Sequence, residues 1–190
     1  GESCNILYDS IKFKVLESGT YWHSDTPDVP ASRTWGNSLP RITTWVRFQD
    51  KRSGTQFVVM NTHFHWQEPY VSETTKLILR KWREIAGDTP MILMGDFNLD
   101  PTSETHQLFC GETGAEDVRG NFIDCWQALG KSETDAATSH SFEGGTSQHR
   151  IDWILVTPEL NPKQIDIIYY QENERYPSDH YPVLAEIQYP

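Results

Sequence analysis

Four short polar clusters stand out because each lies at the end of an apolar run or directly before one. They contain carboxylate, amide and imidazole side chains, which activate water, bind metal ions and contact phosphate oxygens. Taken singly, an Asp or Asn after a strand is more often a turn former or a helix cap. If the four strand ends meet, however, the clusters form one site. The clusters are Asn61-Thr62-His63, Gly95-Asp96-Phe97-Asn98, His149-Arg150-Ile151-Asp152 and Ser178-Asp179-His180.

The second cluster combines a carboxylate and an amide at Asp96 and Asn98. In an extended chain, residues two apart point to the same face, so both side chains reach one bound group. Such a pair can hold and activate a water molecule. We therefore expect Asp96 and Asn98 to act together on one bound water molecule.

Two carboxylate and imidazole pairs are expected to flank the same centre. Asp179 and His180 supply a hard oxygen ligand beside an imidazole, and Asp152 is placed to accept the other ring N–H of His180. A carboxylate partner favours the charged form of a histidine, which stabilises negative charge on a phosphoryl group. His63 is the equivalent imidazole on the opposite side, with Glu2 as the candidate that orients it.

Several other side chains are weighed as substrate or metal contacts. Arg41 precedes a strand and is a candidate phosphate contact, although an arginine at a strand end is usually solvated. Trp66 is a candidate for stacking on a base or sugar, although most tryptophans are packing residues. The His63-x-His65 spacing suggests zinc, yet no third or fourth ligand follows at a recognisable spacing. Three histidines lie in polar loops or on a short helix and are expected to be ordinary surface residues: His23, His106 and His140.

The composition narrows the class of partner. The 190 residues include 16 Lys and Arg against 27 Asp and Glu, and a net charge of −11 disfavours tight, nonspecific binding to duplex nucleic acid. The apolar runs are far shorter than the roughly 20 residues that cross a bilayer, so we expect no membrane span. Three cysteines without CxxC spacing are expected to be free thiols, with one disulfide left open: Cys4, Cys110 and Cys125.

The elements that must position these clusters alternate between short β runs and helical stretches, which predicts one mixed α/β domain over residues 1–190. The clearest hairpin joins residues 42–48 and 56–62 around the turn at 50–54. A helix over 72–86 begins at a Ser72 cap and stops at Gly87, and a buried strand over 91–94 follows. Further predictions are a hairpin-like pair at 5–8 and 13–17, helices at 103–109 and 122–129, and strands at 151–156, 165–170 and 183–188.

In combination and order, the motifs NTH at 61–63, GDFN at 95–98, RID at 150–152 and SDH at 178–180 resemble the endonuclease/exonuclease/phosphatase superfamily, which contains the DNase I-like nucleases. The opening Gly1-Glu2 and residues 18–27 also look like bacterial members. The resemblance implies a four-layer α/β sandwich, in which two packed mixed β-sheets lie between outer helices and the site is at one edge.

The resemblance also implies a role for each matched residue. Asp96, helped by Asn98, would activate the attacking water, and Asp179 would belong to a site for Mg²⁺ or Mn²⁺. His63 and His180 would contact the scissile phosphate, and Arg41 would add a further contact to it. Glu2 would orient His63, and Asp152 would orient His180.

The sequence departs from the family pattern at its start. Members normally begin with a strand bearing an Asn and, after a helix, a second strand ending in Gln-Glu, and neither is present here. That Glu is the family's principal metal ligand, so we expect this chain alone to bind metal weakly and to have little or no activity. We also expect uncovered apolar sheet surface that a second chain or a dimer covers. Phe64-His65-Trp66 replaces the Leu-Asp-His run common in relatives and leaves the substrate open.

Three functions follow from these observations. The first is hydrolysis of a phosphodiester or phosphomonoester by metal-assisted water attack on a nucleotide, sugar phosphate, lipid head group or nucleic acid. The second is a non-catalytic binding domain that keeps the sandwich fold without the chemistry. The third is a small zinc hydrolase built around His63 and His65. The compartment is not readable from the sequence.

Overall fold

The central feature of the fold is a mixed sheet whose strands end at the polar clusters. The computed structural model of the protein describes residues 3–114, 119–146 and 148–189. Within these ranges the strands are β1 Phe13–Trp22, β2 Ile42–Asp50, β3 Gln56–His63, β4 Met91–Asp96, β5 Ile123–Asp124, β6 Asp152–Val156, β7 Asn161–Ile167 and β8 Val183–Gln188. The helices are α1 Tyr70–Ala86, α2 Glu104–Cys110 and α3 Cys125–Ala128.

Six of the described strands form one sheet in the order β1-β2-β3-β4-β6-β5. The β3–β4 pair is parallel, and the other neighbouring pairs are antiparallel. The predicted hairpin of residues 42–48 and 56–62 is thus confirmed as β2 and β3. Strands β7 and β8 form a second, antiparallel sheet.

The two faces of the six-stranded sheet are buried against different partners. On one face, Met60 and Leu93 pack against Ile78 of α1 and Phe109 of α2, and all four side chains are fully buried. On the other face, β4 and β6 pack against β7 and β8 through residues such as Val156 and Ile165. The predicted α/β sandwich of two packed sheets is confirmed, with an antiparallel pair as the second sheet where a mixed sheet was expected.

Helix α1 follows the predicted apolar spacing. Ile78 is buried, while Trp82 and Ile85 are partly buried against the same core. The helix begins two residues before the predicted Ser72 cap, because Tyr70 is already helical and Ser72 instead donates its hydroxyl hydrogen to Glu68. Gly87 follows its end with a φ of 55°, as the predicted stop requires.

Two local predictions are wrong. Residues 5–8 do not pair with 13–17, because β1 runs from Phe13 to Trp22 and pairs with β2 along its length. The segment over 122–129 begins as the short strand β5, and only Cys125–Ala128 is helical. Asp124 separates the two parts, since its carboxylate accepts the Trp126 N–H and caps the helix.

An apolar groove lies between residues 6–9 and the second sheet. It encloses about 500 Å³ and is lined by side chains that include Tyr8, Phe57, Leu184 and Tyr189. Leu184 on β8 remains 59% exposed. None of the helices in the described ranges is long and apolar enough to cross a membrane.

Gly95 lets β3 and β4 approach at the end that carries the polar clusters. Its φ is 143°, and a Cβ added there would overlap the backbone carbonyl of Thr62 on β3. Any side chain at this position would therefore push the two strand ends apart. Gly95 is the residue that permits their close register.

Replacing Gly95 by alanine is expected to lower the free energy of unfolding by about 3 kcal/mol. Gly54→Ala is the matched control, because Gly54 also has a positive φ of 78° but open space around its Cα. The control is expected to cost only about 1 kcal/mol. Urea denaturation of both variants measures the difference, and equal losses would contradict the proposed close approach.

Candidate functional site

The side chains of His63, Asp96 and Asp152 form a row across the ends of three adjacent strands in the interior of the sheet. Asp96 at the end of β4 is paired with His63 on β3 and with Asp152 on β6. Because paired residues on neighbouring strands point to the same face, the register alone brings an imidazole and two carboxylates together. The ends of these strands therefore converge, as the sequence analysis requires for a single site.

The carboxylate of Asp96 lies at the centre of this row. Its Oδ2 atom is 3.2 Å from Nε2 of His63 and 4.0 Å from Nε2 of His180. The side-chain amide of Asn98 lies 3.3 Å from the same oxygen. The side chain of Asp96 is 18% exposed, so the carboxylate is partly accessible to solvent.

Asn98 reaches Asp96 through a turn, so the extended chain predicted from the sequence for residues 96–98 is wrong. Its φ is 52°, in the left-handed region that Asn tolerates better than most residues. Its backbone N–H donates to Oδ1 of Asp96 at 2.7 Å, and its side-chain amide donates to the Phe64 carbonyl at 3.0 Å. Phe97 between them is buried and stacks on Trp153, which anchors the turn in the core.

His180 and Asp152 form the closest ion pair of the site. Nδ1 of His180 lies 2.7 Å from Oδ2 of Asp152. This hydrogen bond raises the pKa of His180 to about 9, against an opposing effect of burial, with smaller contributions from the charges of Asp96 and Asp179. His180 is therefore protonated at neutral pH.

Asp179 is exposed on the loop that leads into His180. Its backbone carbonyl accepts N–H groups from His140 at 2.8 Å and Ser141 at 3.2 Å. The Ser178 hydroxyl lies 3.3 Å from its Oδ1. The backbone of Asp179 is thus fixed while its carboxylate faces solvent.

Arg41 and Trp66 both interact with His65, two residues beyond His63. Arg41 is buried at 5% exposure, contrary to the solvated position typical of a strand-end arginine, and its charge lowers the pKa of the neighbouring His65 after the larger effect of burial. Trp66 is 58% exposed, and its ring stacks on His65 with centroids 4.5 Å apart. Glu2, the candidate partner of His63, lies outside the described residues.

His23, His106 and His140 are buried, so the prediction of surface positions is wrong for all three of them. His23 lies 2.7 Å from the Tyr70 hydroxyl and 2.9 Å from that of Thr43, and burial lowers its pKa to about 3, which keeps it neutral. His106 lies 2.8 Å from the buried Asp124. His140 packs on Tyr181. The partners named here are 18 to 47 residues away in sequence, and no local pattern indicates them.

The described residues do not by themselves fit a complete metal site. No group of three or more His, Cys, Asp and Glu side chains in residues 3–114, 119–146 and 148–189 is arranged to hold an ion. Asp152 and Asp96 lie beside His180 and His63, whereas the exposed Asp179 is paired with no imidazole among the described residues. A hard cation such as Mg²⁺ requires about six oxygen ligands. The same finding speaks against a zinc centre at His63 and His65 within these ranges.

Comparison with known proteins identifies relatives over most of the chain. The profile of the Endonuclease/Exonuclease/phosphatase family matches residues 7–180. The crystal structure of the endonuclease/exonuclease/phosphatase from Bacteroides vulgatus superposes with a TM-score of 0.84 at 32% identity, covering 96% of this chain and 69% of that chain. A Bacteroides thetaiotaomicron mannosyl-6-phosphatase superposes with a TM-score of 0.81 at 31% identity, with the same coverage.

Curated relatives are longer. Protein angel of Drosophila melanogaster is 27% identical over 161 residues, which is 82% of this chain and 41% of that protein. The chain thus spans less than half the length of this relative.

Replacing Asp152 by asparagine is expected to lower the pKa of His180 from about 9 toward its ordinary value of 6.5. Because the folded-state pKa is raised, the pair stabilises the wild-type protein fully below about pH 6.5 and loses that contribution as the pH rises through about 9. NMR titration of the His180 ring measures the first effect, and urea unfolding across that pH range measures the second. An unshifted titration would contradict the assigned pair.

Proposed function

This chain belongs to the Endonuclease/Exonuclease/phosphatase family, and we propose that it hydrolyses a phosphate ester at the row formed by His63, Asp96 and His180. Members of this family are hydrolases that act on phosphate esters. The observation that carries the proposal is the position of Asp96 Oδ2 between the two imidazoles, 3.2 Å from one and 4.0 Å from the other.

Asp96 is proposed as the group that accepts a proton from the attacking water. Its Oδ1 atom is held by the Asn98 backbone N–H, so the carboxylate orientation is fixed before substrate arrives. The Asn98 amide is close enough to help hold that water beside Oδ2. A fixed base and a held water reduce the entropy lost on reaching the reactive geometry.

His63 and His180 are proposed to contact the scissile phosphate from opposite sides of Asp96. The protonated His180 is suited to donate to an oxygen on which negative charge develops, and Asp152 keeps the ring in that state. Arg41 adds positive charge that acts on His65, two residues beyond His63. Glu2 is proposed as the orienting carboxylate of His63 by resemblance to the family.

We propose Mg²⁺ or Mn²⁺ as the cofactor, with Asp179 as one of its ligands. When bound, the ion would neutralise charge on the phosphate and assist the attacking water. The donors in the described residues are too few to hold it firmly. Weak metal binding and little or no activity are therefore proposed for residues 1–190 alone.

The proposed substrate is a small phosphate ester in preference to duplex nucleic acid. The net charge of −11 opposes binding of an extended polyanion, whereas a single phosphate is small enough to reach the row of imidazoles. The exposed ring of Trp66, fixed by its stack on His65, is suited to pack against a sugar or a base. A nucleotide, a sugar phosphate and a lipid head group satisfy both conditions.

The first test is a screen of chromogenic phosphodiesters and phosphomonoesters with Mg²⁺ and Mn²⁺, on the longest obtainable form of the protein. For the best substrate, Asp96→Asn is expected to lower kcat/KM about 10³-fold, because the base is lost. His63→Ala and His180→Ala are each expected to lower it about 10²-fold. Initial-rate kinetics provide the measurement.

His149→Ala is the matched control, because His149 is a histidine that pairs with an aspartate, Asp100, but is 75% exposed outside the row. It is expected to keep a near wild-type rate. Full activity in Asp96→Asn would contradict the proposal. Retained binding of phosphate without hydrolysis of any ester would instead support the non-catalytic binding domain.

Isothermal titration of residues 1–190 with Mg²⁺ or Mn²⁺ is expected to give a dissociation constant of about 1 mM or weaker. The physical reason is the small number of fixed carboxylates at the site. Asp179→Asn is expected to remove the remaining binding, whereas Asp166→Asn, on β7 away from the row, is expected to leave it unchanged. Tight binding by residues 1–190 would contradict this expectation.

We also propose that a second chain covers the apolar groove beside β8, because water contact with such a surface is unfavourable. Size-exclusion chromatography with light scattering is expected to show a dimer that Leu184→Asp converts to a monomer. Leu39→Asp is the control, since Leu39 is similarly exposed outside the groove lining. A wild-type monomer at all concentrations would contradict the proposal.

A further inference from the structure

A buried threonine lies between the two backbone segments that carry Asp152 and His180. Thr138 has no exposed surface, although it belongs to a segment without regular secondary structure. The Asp152 segment leads into β6, and the His180 segment is the loop before β8. Thr138 contacts both of them through hydrogen bonds.

The hydroxyl oxygen, the backbone N–H and the backbone carbonyl of Thr138 all form hydrogen bonds. Its hydroxyl oxygen accepts the backbone N–H of Ile151 at 3.0 Å and that of Asp152 at 3.1 Å. Its own N–H donates to the His149 carbonyl at 3.2 Å, and its carbonyl accepts the Tyr181 N–H at 2.7 Å. Thr138 thus forms hydrogen bonds with both the segment that carries Asp152 and the segment that carries His180.

The neighbours of Thr138 extend the connection along the loop. Ser139 forms an antiparallel bridge with His180. The His140 N–H then donates to the Asp179 carbonyl at 2.8 Å. Residues 138–140 therefore act as a short strand beside the His180 segment, while the Thr138 side chain holds the start of β6.

The hydroxyl is the part of Thr138 whose role differs from ordinary backbone pairing. Two N–H groups from consecutive residues converge on it, which fixes both the position and the direction of the chain at Asp152. An ion pair with a 2.7 Å contact between His180 and Asp152 depends on such placement, because a shift of about 1 Å between the segments would break it.

We infer that Thr138 is a positioning residue whose hydroxyl sets the geometry of the Asp152–His180 pair. Its importance for catalysis rests on the proposed function, whereas its effect on the pair does not. A merely structural role would be to satisfy two buried N–H groups. That role predicts lower stability with an unchanged ion pair.

Thr138→Val tests the inference, because valine has nearly the same shape and lacks the hydroxyl acceptor. Thr138→Ser keeps the hydroxyl and should behave like the wild type. Thr157→Val is the matched control, since the buried Thr157 hydroxyl accepts the Met91 N–H at 3.0 Å at the other end of β6. The control loses the same kind of hydrogen bond away from the site.

The first readout is the His180 Nδ1 proton in NMR spectra of protein with isotope-labelled histidine. A hydrogen bond to Asp152 makes this proton slow to exchange and shifts its signal downfield. The signal is expected to disappear or shift strongly in Thr138→Val and to persist in Thr138→Ser and Thr157→Val. An unchanged signal in a folded Thr138→Val protein would overturn the inference.

The second readout is kinetic and uses the substrate found for the wild-type protein. Thr138→Val is expected to lower kcat about 10- to 100-fold with little change in KM, while Thr157→Val lowers only the thermal stability. If no ester is hydrolysed by the wild type, the proposed function fails and the NMR comparison still decides the role of Thr138.

If the Thr138→Val protein does not fold, a third measurement is made on the wild-type protein. Backbone amide hydrogen exchange of Ile151 and Asp152 is expected to be slow, because both N–H groups donate to a buried hydroxyl. Fast exchange of either amide would overturn the inference.

Discussion

The register of three adjacent strands is the constraint on which the site depends. Pairing of β4 with β3 and β6 aligns His63, Asp96 and Asp152, so a slip of one residue would turn a side chain of this row to the other face. The core fixes that register, because Met60, Leu93 and Leu155 on the same strands are fully buried against the helices. The packing of the sheet and the geometry of the site therefore depend on the same register, and Gly95 permits it because a Cβ there would overlap the Thr62 carbonyl on β3.

Charge at the strand ends is organised by two pairs of a carboxylate and an imidazole, Asp96 with His63 and Asp152 with His180. Asp152 raises the pKa of His180 to about 9, whereas the buried His23 nearby has its pKa lowered to about 3. The same side chain is therefore a cation at the site and a neutral hydrogen-bonding group in the core. Complete burial, followed by the charge of Arg41, disfavours the cation of His23, whose hydrogen-bond partners are hydroxyl groups. The carboxylate of Asp152 stabilises the cation of His180 against a smaller effect of burial.

The sequence is sufficient to predict the main strands and the residues at their ends. β-branched and aromatic runs identify β2, β3, β4 and β8 closely, because these strands lie in or against a core that selects such side chains. Prediction fails where the partner is distant in sequence. β1 pairs with β2 across an intervening segment, so the local hairpin at residues 5–17 is the wrong alternative. Thr138 lies in a segment that composition classifies as loop, and its partners are 11 to 43 residues away.

A phosphate ester that approaches the ends of β3, β4 and β6 enters a region with several negative charges. Asp96, Asp152 and Asp179 bring three carboxylates, and the protonated His180 offsets one of them. An incoming phosphate adds further negative charge, so approach is unfavourable unless more positive charge is present. Arg41 is buried close to His65 and supplies part of it. A divalent cation beside Asp179 would supply the remaining positive charge, which is the physical argument for the proposed metal dependence. The same argument predicts that activity is lost when the ion is poorly held.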